Sequence, residues 1–329
     1  MERSRICNTA AAIAAIGAGL AASAAWADST GFPQKPIHII THAPAGSPPD
    51  VVARVIGEKL APALGQAVIV ENRPGASGTI ALAAVAKARP DGYTLGTMTL
   101  SHAVAPGLIA QLPYDTARDL APIEQTTQAS ILLVVRADGP LRSLADLIKA
   151  AKSQPGRLTY ASAGNGTPLH LAGEVFKWRA GIDIQHVPYK GALAAANALL
   201  GQQVDLVSTT PGVVLGGIRS GTLRAIATTG SKRVPALPEV LTLSELGFSD
   251  FDVRDWQGLV APSMTPRPLI ERVAADVSKV LHDPEIRERF ARIGVEPVTD
   301  SGPDAFGALT RSELARWGKI VREAGIHAD

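Results

Sequence analysis

Cysteine is almost absent from this sequence: the single residue, Cys7, lies in an amino-terminal stretch with the marks of an export signal. Glu2, Arg3 and Arg5 precede an Ala/Ile/Leu-rich run that ends in Ala25-Trp26-Ala27, the small-x-small pattern of a cleavage site. Residues 1–27 are therefore expected to be removed on export to the periplasm. The run is Ala-dominated and short against the roughly 20 apolar residues a membrane span needs. Cys7 precedes the run instead of ending it, so the arrangement for lipid attachment is missing. The remaining chain has no thiol, which excludes disulfides, a Cys nucleophile and Cys-ligated metal.

Aromatic residues are also scarce, at 4% of the chain, leaving no stacking platform for sugars or bases. Trp256 reads as a packing residue. The formal charge of +2 falls to +1 without the signal, far from the basic footprint of a nucleic-acid binder. Neither a P-loop nor a Gly-x-Gly-x-x-Gly run is present, so nucleotide binding is disfavoured and no cofactor is expected. The 7 histidines (38, 42, 102, 170, 186, 282 and 327) are scattered. Only His170 and Glu174 share an i, i+4 spacing, which reads as a helix-surface pair, not a metal ligand set. In "YASAGNG" Tyr160 stands where the nucleophile elbow of a hydrolase needs glycine, so Ser162 is a poor nucleophile.

What is present is a repeated unit: a β-rich run, a loop with Gly or Pro, then a helix-patterned stretch. "IHIIT" (37–41), "AVIVE" (67–71) and "YTLGTM" (93–98) each precede a helix, those after the first two reaching Leu64 and spanning 79–87. "ILLVV" (131–135), "LTYAS" (158–162), "IQHVPY" (184–189), "VDLVST" (204–209) and "LRAIATT" (223–229) form a second series. The alternation predicts an α/β chain with parallel sheets covered on both faces. These strands exceed one comfortable sheet of about four to six, so two doubly wound lobes are expected. After "WQGLVAP" (256–262) come helices at 267–281, 284–293 and 303–324, which should pack back on the first lobe. Lobe one is then 28–127 plus 254–329, and lobe two 128–253.

In open α/β sheets, ligands bind beyond the carboxyl ends of the strands. Three loops rich in small residues occupy that position: Ala45-Gly46-Ser47-Pro48-Pro49, Gly75-Ala76-Ser77-Gly78 and Ala163-Gly164-Asn165-Gly166-Thr167. Their amides, with the positive ends of the helix dipoles, suit an anion, and without a P-loop the anion is a carboxylate. Each loop is equally readable as a plain connection. Ser47 is placed to cap the following helix, Pro48 suits its first turn, and Asp50 takes the capping-box position. The prolines lack amides, which leaves those of Ala45, Gly46 and Ser47 as donors. Lys190, opening a helix after a strand, either faces the cleft or is solvated surface.

The runs "FPQKPIHII", "VIVENRPGASGTI", "AKARPDGYTL", "LPYDTARDLAPI", "YASAGNGTPLHLAGEVF", "VPYKGALAAANALLGQQVDL", "IRSGTLRAIATTGSKRVPALPEV" and "WQGLVAPSMTP" resemble the Bug-type extracytoplasmic solute receptors of tripartite tricarboxylate transporters. The likeness runs from Phe32 to Gly325 in family order. It implies a two-lobed periplasmic binding protein of type II fold, a monomer, that closes on a small organic acid and delivers it to membrane transporter subunits. It implies that Ala45, Gly46 and Ser47 on one lobe, and Ala163, Gly164, Asn165, Gly166 and Thr167 on the other, grip one ligand carboxylate, with Ser77 and Gly78 nearby. Where the family usually has Phe, this chain has Ala43, which would remove an apolar wall. His42 would add a donor, or a charge that switches near neutrality; packing inside the lobe is the alternative. Ala198 replaces a usual Asp, which puts recognition of a ligand ammonium in doubt. The Asn usual after Ser-His-Ala is missing, leaving Ser101 and His102 for the distal end of the ligand. A sensor subunit for a membrane histidine kinase would share the same site, and an exported hydrolase is the remaining alternative.

Overall fold

A computed structural model describes residues 31–299 and 301–326, so the expected signal at 1–27 lies outside the described residues. In chain order, strand β1 (Ile37–Thr41) leads to helix α1 (Pro48–Leu64), β2 (Val68–Asn72), α2 (Thr79–Ala86), β3 (Thr94–Thr99), α3 (Leu100–Leu108) and the long strand β4 (Leu120–Ser130). The second series is β5 (Leu132–Arg136), α4 (Leu144–Ser153), β6 (Thr159–Ser162), α5 (Pro168–Ala180), β7 (Gln185–Pro188), α6 (Ala192–Leu200), β8 (Leu206–Thr209), α7 (Pro211–Arg219) and β9 (Leu223–Thr228). The chain ends through β10 (Arg254–Pro262), α8 (Arg267–His282), α9 (Pro284–Arg292), β11 (Glu296–Pro297) and α10 (Gly302–Ala324).

Two sheets result, in the orders β11-β4-β10-β3-β1-β2 and β7-β6-β8-β5-β9. Both are mixed, which corrects the expectation of parallel sheets. β1 is parallel to β2 and β3, whereas β10 runs antiparallel to β3 and β4. In the second sheet β6 is parallel to β7 and β8, and β5 is antiparallel to β8 and β9. The physical reason is connectivity: β10 and β5, the strands by which the chain enters each sheet from the other, run against the βαβ units. β4 had no clear signal because Pro122 interrupts it and Glu124, Thr126 and Thr127 are buried polar residues. Pairing with β10 on one side and β11 on the other makes that burial tolerable.

The chain passes between sheets at Ile131 and returns after Val253. Thr229 ties the two passages together. Its amide donates to Ile131 O at 2.8 Å, and its hydroxyl to Val253 O at 2.6 Å, while Val253 N donates to Thr229 O at 2.9 Å. Ile37, Ile39, Val52, Ile56 and Leu60 build one core layer between β1 and α1, each fully buried aliphatic side chain contributing about 1.5–3 kcal/mol. Another core runs from Met98, Trp256 and Phe306 to Ile131, Tyr160 and Phe176, joining the two sheets through the passage. Trp256 packs edge-on against Phe306, with ring centroids 5.8 Å apart. β1, β3, β6 and β8 thus end at a common cleft, and α1, α3, α5 and α7 begin there.

Candidate functional site

The first loop spans the end of β1 and the start of α1. Gly46 has φ +79, a left-handed conformation suited to glycine. Its amide donates to Asp50 Oδ2 at 2.8 Å, and the Ser47 amide donates to Pro44 O at 3.2 Å. Ser47 occupies the N-cap position, but its hydroxyl donates to Pro44 O instead of accepting from the helix. Two of the three amides expected to face a ligand are thus engaged inside the protein, and Ala45, exposed at the loop tip, is the remaining one. Asp50 does reach back to cap, though to Gly46, one residue before the capping-box position. It is 1% exposed and also accepts from Arg54 Nε at 3.0 Å and Asn72 Nδ2 at 2.7 Å.

The second lobe's loop is likewise cross-braced. Gly164 N donates to Ser162 Oγ at 3.2 Å, Gly166 N to His170 Nδ1 at 3.2 Å, and Thr167 N to Gly164 O at 3.3 Å. Thr167 caps α5 by accepting from His170 N. The second lobe's loop meets the start of α3 across the cleft. Ser101 Oγ, on the first turn of α3, donates to Gly166 O at 2.8 Å. Ser101 was expected at the distal end of a ligand, but its proton bridges the lobes.

α3 and α5 share a device that the sequence carries as Thr99-Leu100-Ser101-His102 and Thr167-Pro168-Leu169-His170. In each, Thr caps the helix and the His three residues on reaches back to a loop amide: Thr99 N donates to His102 Nδ1 at 3.0 Å, as Gly166 N does to His170. The pattern is a capping box with His in place of Glu or Gln. At that position neither helix carries the acidic or amide residue that marks the usual box in a sequence. Because Nδ1 accepts in both, each ring carries a proton on Nε2.

His102 is fully buried, and its Nε2 has no hydrogen-bond partner among the described residues. It abuts Gly78, whose φ is +90; a Cβ there would collide with His102 Nε2 and lie 3.0 Å from His42 Cβ. Gly78 is thus a close-approach glycine, and His102 stands behind it instead of facing a ligand. Ser77 belongs to the same short 3-10 turn, Ala76–Gly78. The His42 ring meets the His102 ring edge-on at 4.6 Å, and its Nδ1 lies 3.3 Å from Thr97 Oγ1. Burial lowers its pKa to about 4, so His42 is neutral at physiological pH, which overturns the switch near neutrality. Burial holds His102 well below the ordinary imidazole range too, with the neighbouring His42 adding to it.

Ala43 is 3% exposed, and its carbonyl accepts from Asn72 Nδ2 at 2.9 Å, so the position of the usual Phe is closed by packing instead of opening space. Ala198 is buried in the same core cluster as Leu199 and Val207. Lys190 is exposed in the bend after β7, its surface alternative. The His170–Glu174 pair is not a surface pair: His170 is 5% exposed, with Nε2 4.0 Å from Glu174 Oε1. Glu174 accepts from Tyr160 Oη at 2.5 Å and Lys177 Nζ at 3.0 Å, and the His186 ring lies 4.2 Å from that of His170. Ser162 Oγ stands 2.7 Å from His186 Nε2, a contact that spacing alone did not reveal. Burial, then His170, lowers the His186 pKa to about 4.

Two lobes with small-residue loops at the carboxyl ends of parallel strands, and with the start of α3 against the Gly166 loop, form a binding-protein cleft, and the comparisons agree. The family described as tripartite tricarboxylate transporter family receptor matches over residues 52–326. The chain belongs to this family. Its members are solute-binding receptors, not enzymes. The receptor is 36% identical over 296 residues to Protein BugT of Bordetella pertussis, which covers 89% of this chain and 90% of BugT. Among solved structures, periplasmic binding protein BugD is 34% identical with TM-score 0.79, covering 90% of this chain and 99% of BugD. An R. palustris protein with adipate is 30% identical with TM-score 0.80, covering 90% and 99%. The receptor therefore has the two-lobed binding-protein fold of these relatives.

Proposed function

We propose that this chain is a periplasmic receptor that captures a small organic carboxylate between its lobes and delivers it to a tripartite tricarboxylate-type membrane transporter, acting as a monomer. Residues 28–127 with 254–329 form one lobe and 128–253 the other, hinged where Thr229 ties Ile131 to Val253. The carrying observation is the Ser101 to Gly166 hydrogen bond, which brings a helix start of one lobe onto the anion loop of the other. The adipate-bound relative supports a carboxylate ligand. Ala45, Ser47, Ser77 and Gly78 on one side, and Ala163 to Thr167 on the other, surround the ligand carboxylate. Because most loop amides are already engaged, capture requires some to exchange an internal acceptor for the ligand. Residues 1–27 act as the export signal.

The test is a thermal-shift titration of the purified chain lacking residues 1–27 against aliphatic and aromatic mono- and dicarboxylates. A saturable rise in Tm with at least one acid is the expected result. No rise with any of them would remove the carboxylate-receptor reading.

A further inference from the structure

An acidic side chain with no partner among the described residues faces the same cleft. Along β10 the side chains alternate. Trp256 turns to Phe306, whereas Gln257 turns to the opposite face and donates to Pro49 O, in the first turn of α1, at 3.2 Å. Asp255 shares the face of Gln257. Leu259 and Ala261, further along that face, enter the core beneath α1. β10 runs antiparallel to β3, and Gln257 lies opposite Thr99, the last residue of β3. Asp255 therefore stands beyond the carboxyl ends of the parallel strands, where clefts of this architecture take their ligands.

Among the described residues, Asp255 forms no ion pair and no hydrogen bond through its carboxylate. Two cations of the adjoining elements, Arg254 of β10 and Arg54 of α1, are committed elsewhere. Arg254 binds Asp252 Oδ1 at 2.9 Å and Gln128 Oε1 at 2.6 Å, and Arg54 binds Asp50 and Asn72. His42 and His102 are neutral. Asp255 keeps some accessible surface. Desolvation there pushes its pKa up to about 7. A carboxylate largely withdrawn from water without a partner is costly, and such groups concentrate at binding sites.

We propose that Asp255 reads the end of the ligand distal to the gripped carboxylate and selects a group that donates a hydrogen bond or carries positive charge. The preferred ligand class is then an ω-amino or ω-hydroxy monocarboxylate, with a dicarboxylate of equal length disfavoured by repulsion. This rests on the carboxylate-receptor reading.

Calorimetric titration of the chain lacking residues 1–27 with 6-aminohexanoate, 6-hydroxyhexanoate and adipate, and with 4-aminobutanoate, 4-hydroxybutanoate and succinate, tests it. The wild type should bind the amino or hydroxy acid of one length at least about tenfold more tightly than the matching dicarboxylate, the factor that 1.4 kcal/mol represents. Asp255→Asn should shrink that preference to about threefold or less. Asp255→Ser serves the same purpose if Asn disturbs the strand. A wild type that prefers the dicarboxylate, or variants whose order and affinities stay within about twofold of the wild type, overturns the role of Asp255 while leaving the receptor reading intact. No response to these six or to the wider acid panel overturns both.

Discussion

Asp50 Oδ2 accepts from the Gly46 amide at 2.8 Å, so the chain's own carboxylate occupies a donor that sequence reasoning assigned to the ligand. The same group holds Asn72, which in turn holds the Ala43 carbonyl. One buried acid thus fixes the first loop, the start of α1 and the end of β2.

Asp50→Ala should destabilise the protein by about 2–3 kcal/mol, because it leaves the Gly46 amide and one of the two Asn72 Nδ2 hydrogens without an acceptor. The Arg54 contribution is small, since that side chain is 48% exposed and solvent screens the pair. Urea unfolding checks this. A loss below about 0.5 kcal/mol, the size of an ordinary surface substitution, would show that the network does not brace the loop.

Ser101→Ala removes the hydroxyl that bridges to Gly166 O. A neutral hydrogen bond contributes about 0.5–1.5 kcal/mol net, and this one exists only while the lobes meet. Ligand affinity should fall by about two- to tenfold, mainly through faster release. Overall stability should change little. Stopped-flow release of a ligand found in the thermal-shift panel reads the effect directly, and an unchanged off-rate would mean that the contact does not hold the closed form.

Gly78→Ala should be far more damaging to binding than its size suggests. The added Cβ meets the His102 ring and His42, both packed in place, and φ +90 is strained for alanine. The short turn must move away from the cleft. We expect more than about tenfold loss of ligand affinity with far-UV circular dichroism retained. His102→Ala in the same background makes room, and partial recovery of binding would tie the defect to that collision; no loss in the single variant would refute the close-approach role.

The βαβ units were legible because hydrophobic alternation and glycine punctuation act locally, and the three small-residue loops stand where that pattern put them. β4 was not, because its buried Glu124, Thr126 and Thr127 make sense only once β10 and β11 flank it. The engagement of Gly46, Ser47, Gly164 and Gly166 amides was hidden for the opposite reason. Each acceptor is close in sequence, but which of several nearby groups wins depends on loop geometry. Ser162 and His186 lie on adjacent strands β6 and β7, and their contact needs the register that places Tyr160 opposite His186. Asp255 belongs to no sequence motif, and only the antiparallel pairing of β10 with β3 places it beyond the strand ends.

The pH dependence of stability separates Asp255 from the histidines because their shifts have opposite signs. His42 and His186 fall from 6.5 to about 4 in the folded protein. Between those values the unfolded chain binds protons that the folded one refuses, so stability drops as pH falls from 6.5 toward 4. The slope is at most about 1.4 kcal/mol per pH unit for each ring, and less for the more exposed His186. Asp255 rises from 3.8 to about 7. Over that window the folded chain holds a proton the unfolded chain has lost, so stability drops as pH rises. In the wild type the two trends partly cancel and flatten the profile between pH 4 and 7. Asp255→Asn deletes only the second. It should therefore raise Tm at pH 8, where about 1 kcal/mol corresponds to at least about 2 °C in a protein of this size. The gain should vanish near pH 4, and the variant should lose stability more steeply than the wild type on acidification. Calorimetric Tm measurements from pH 4 to 8 decide it: parallel curves would mean that Asp255 is solvated and ionised throughout. His42→Gln in the same series should instead flatten the acid limb.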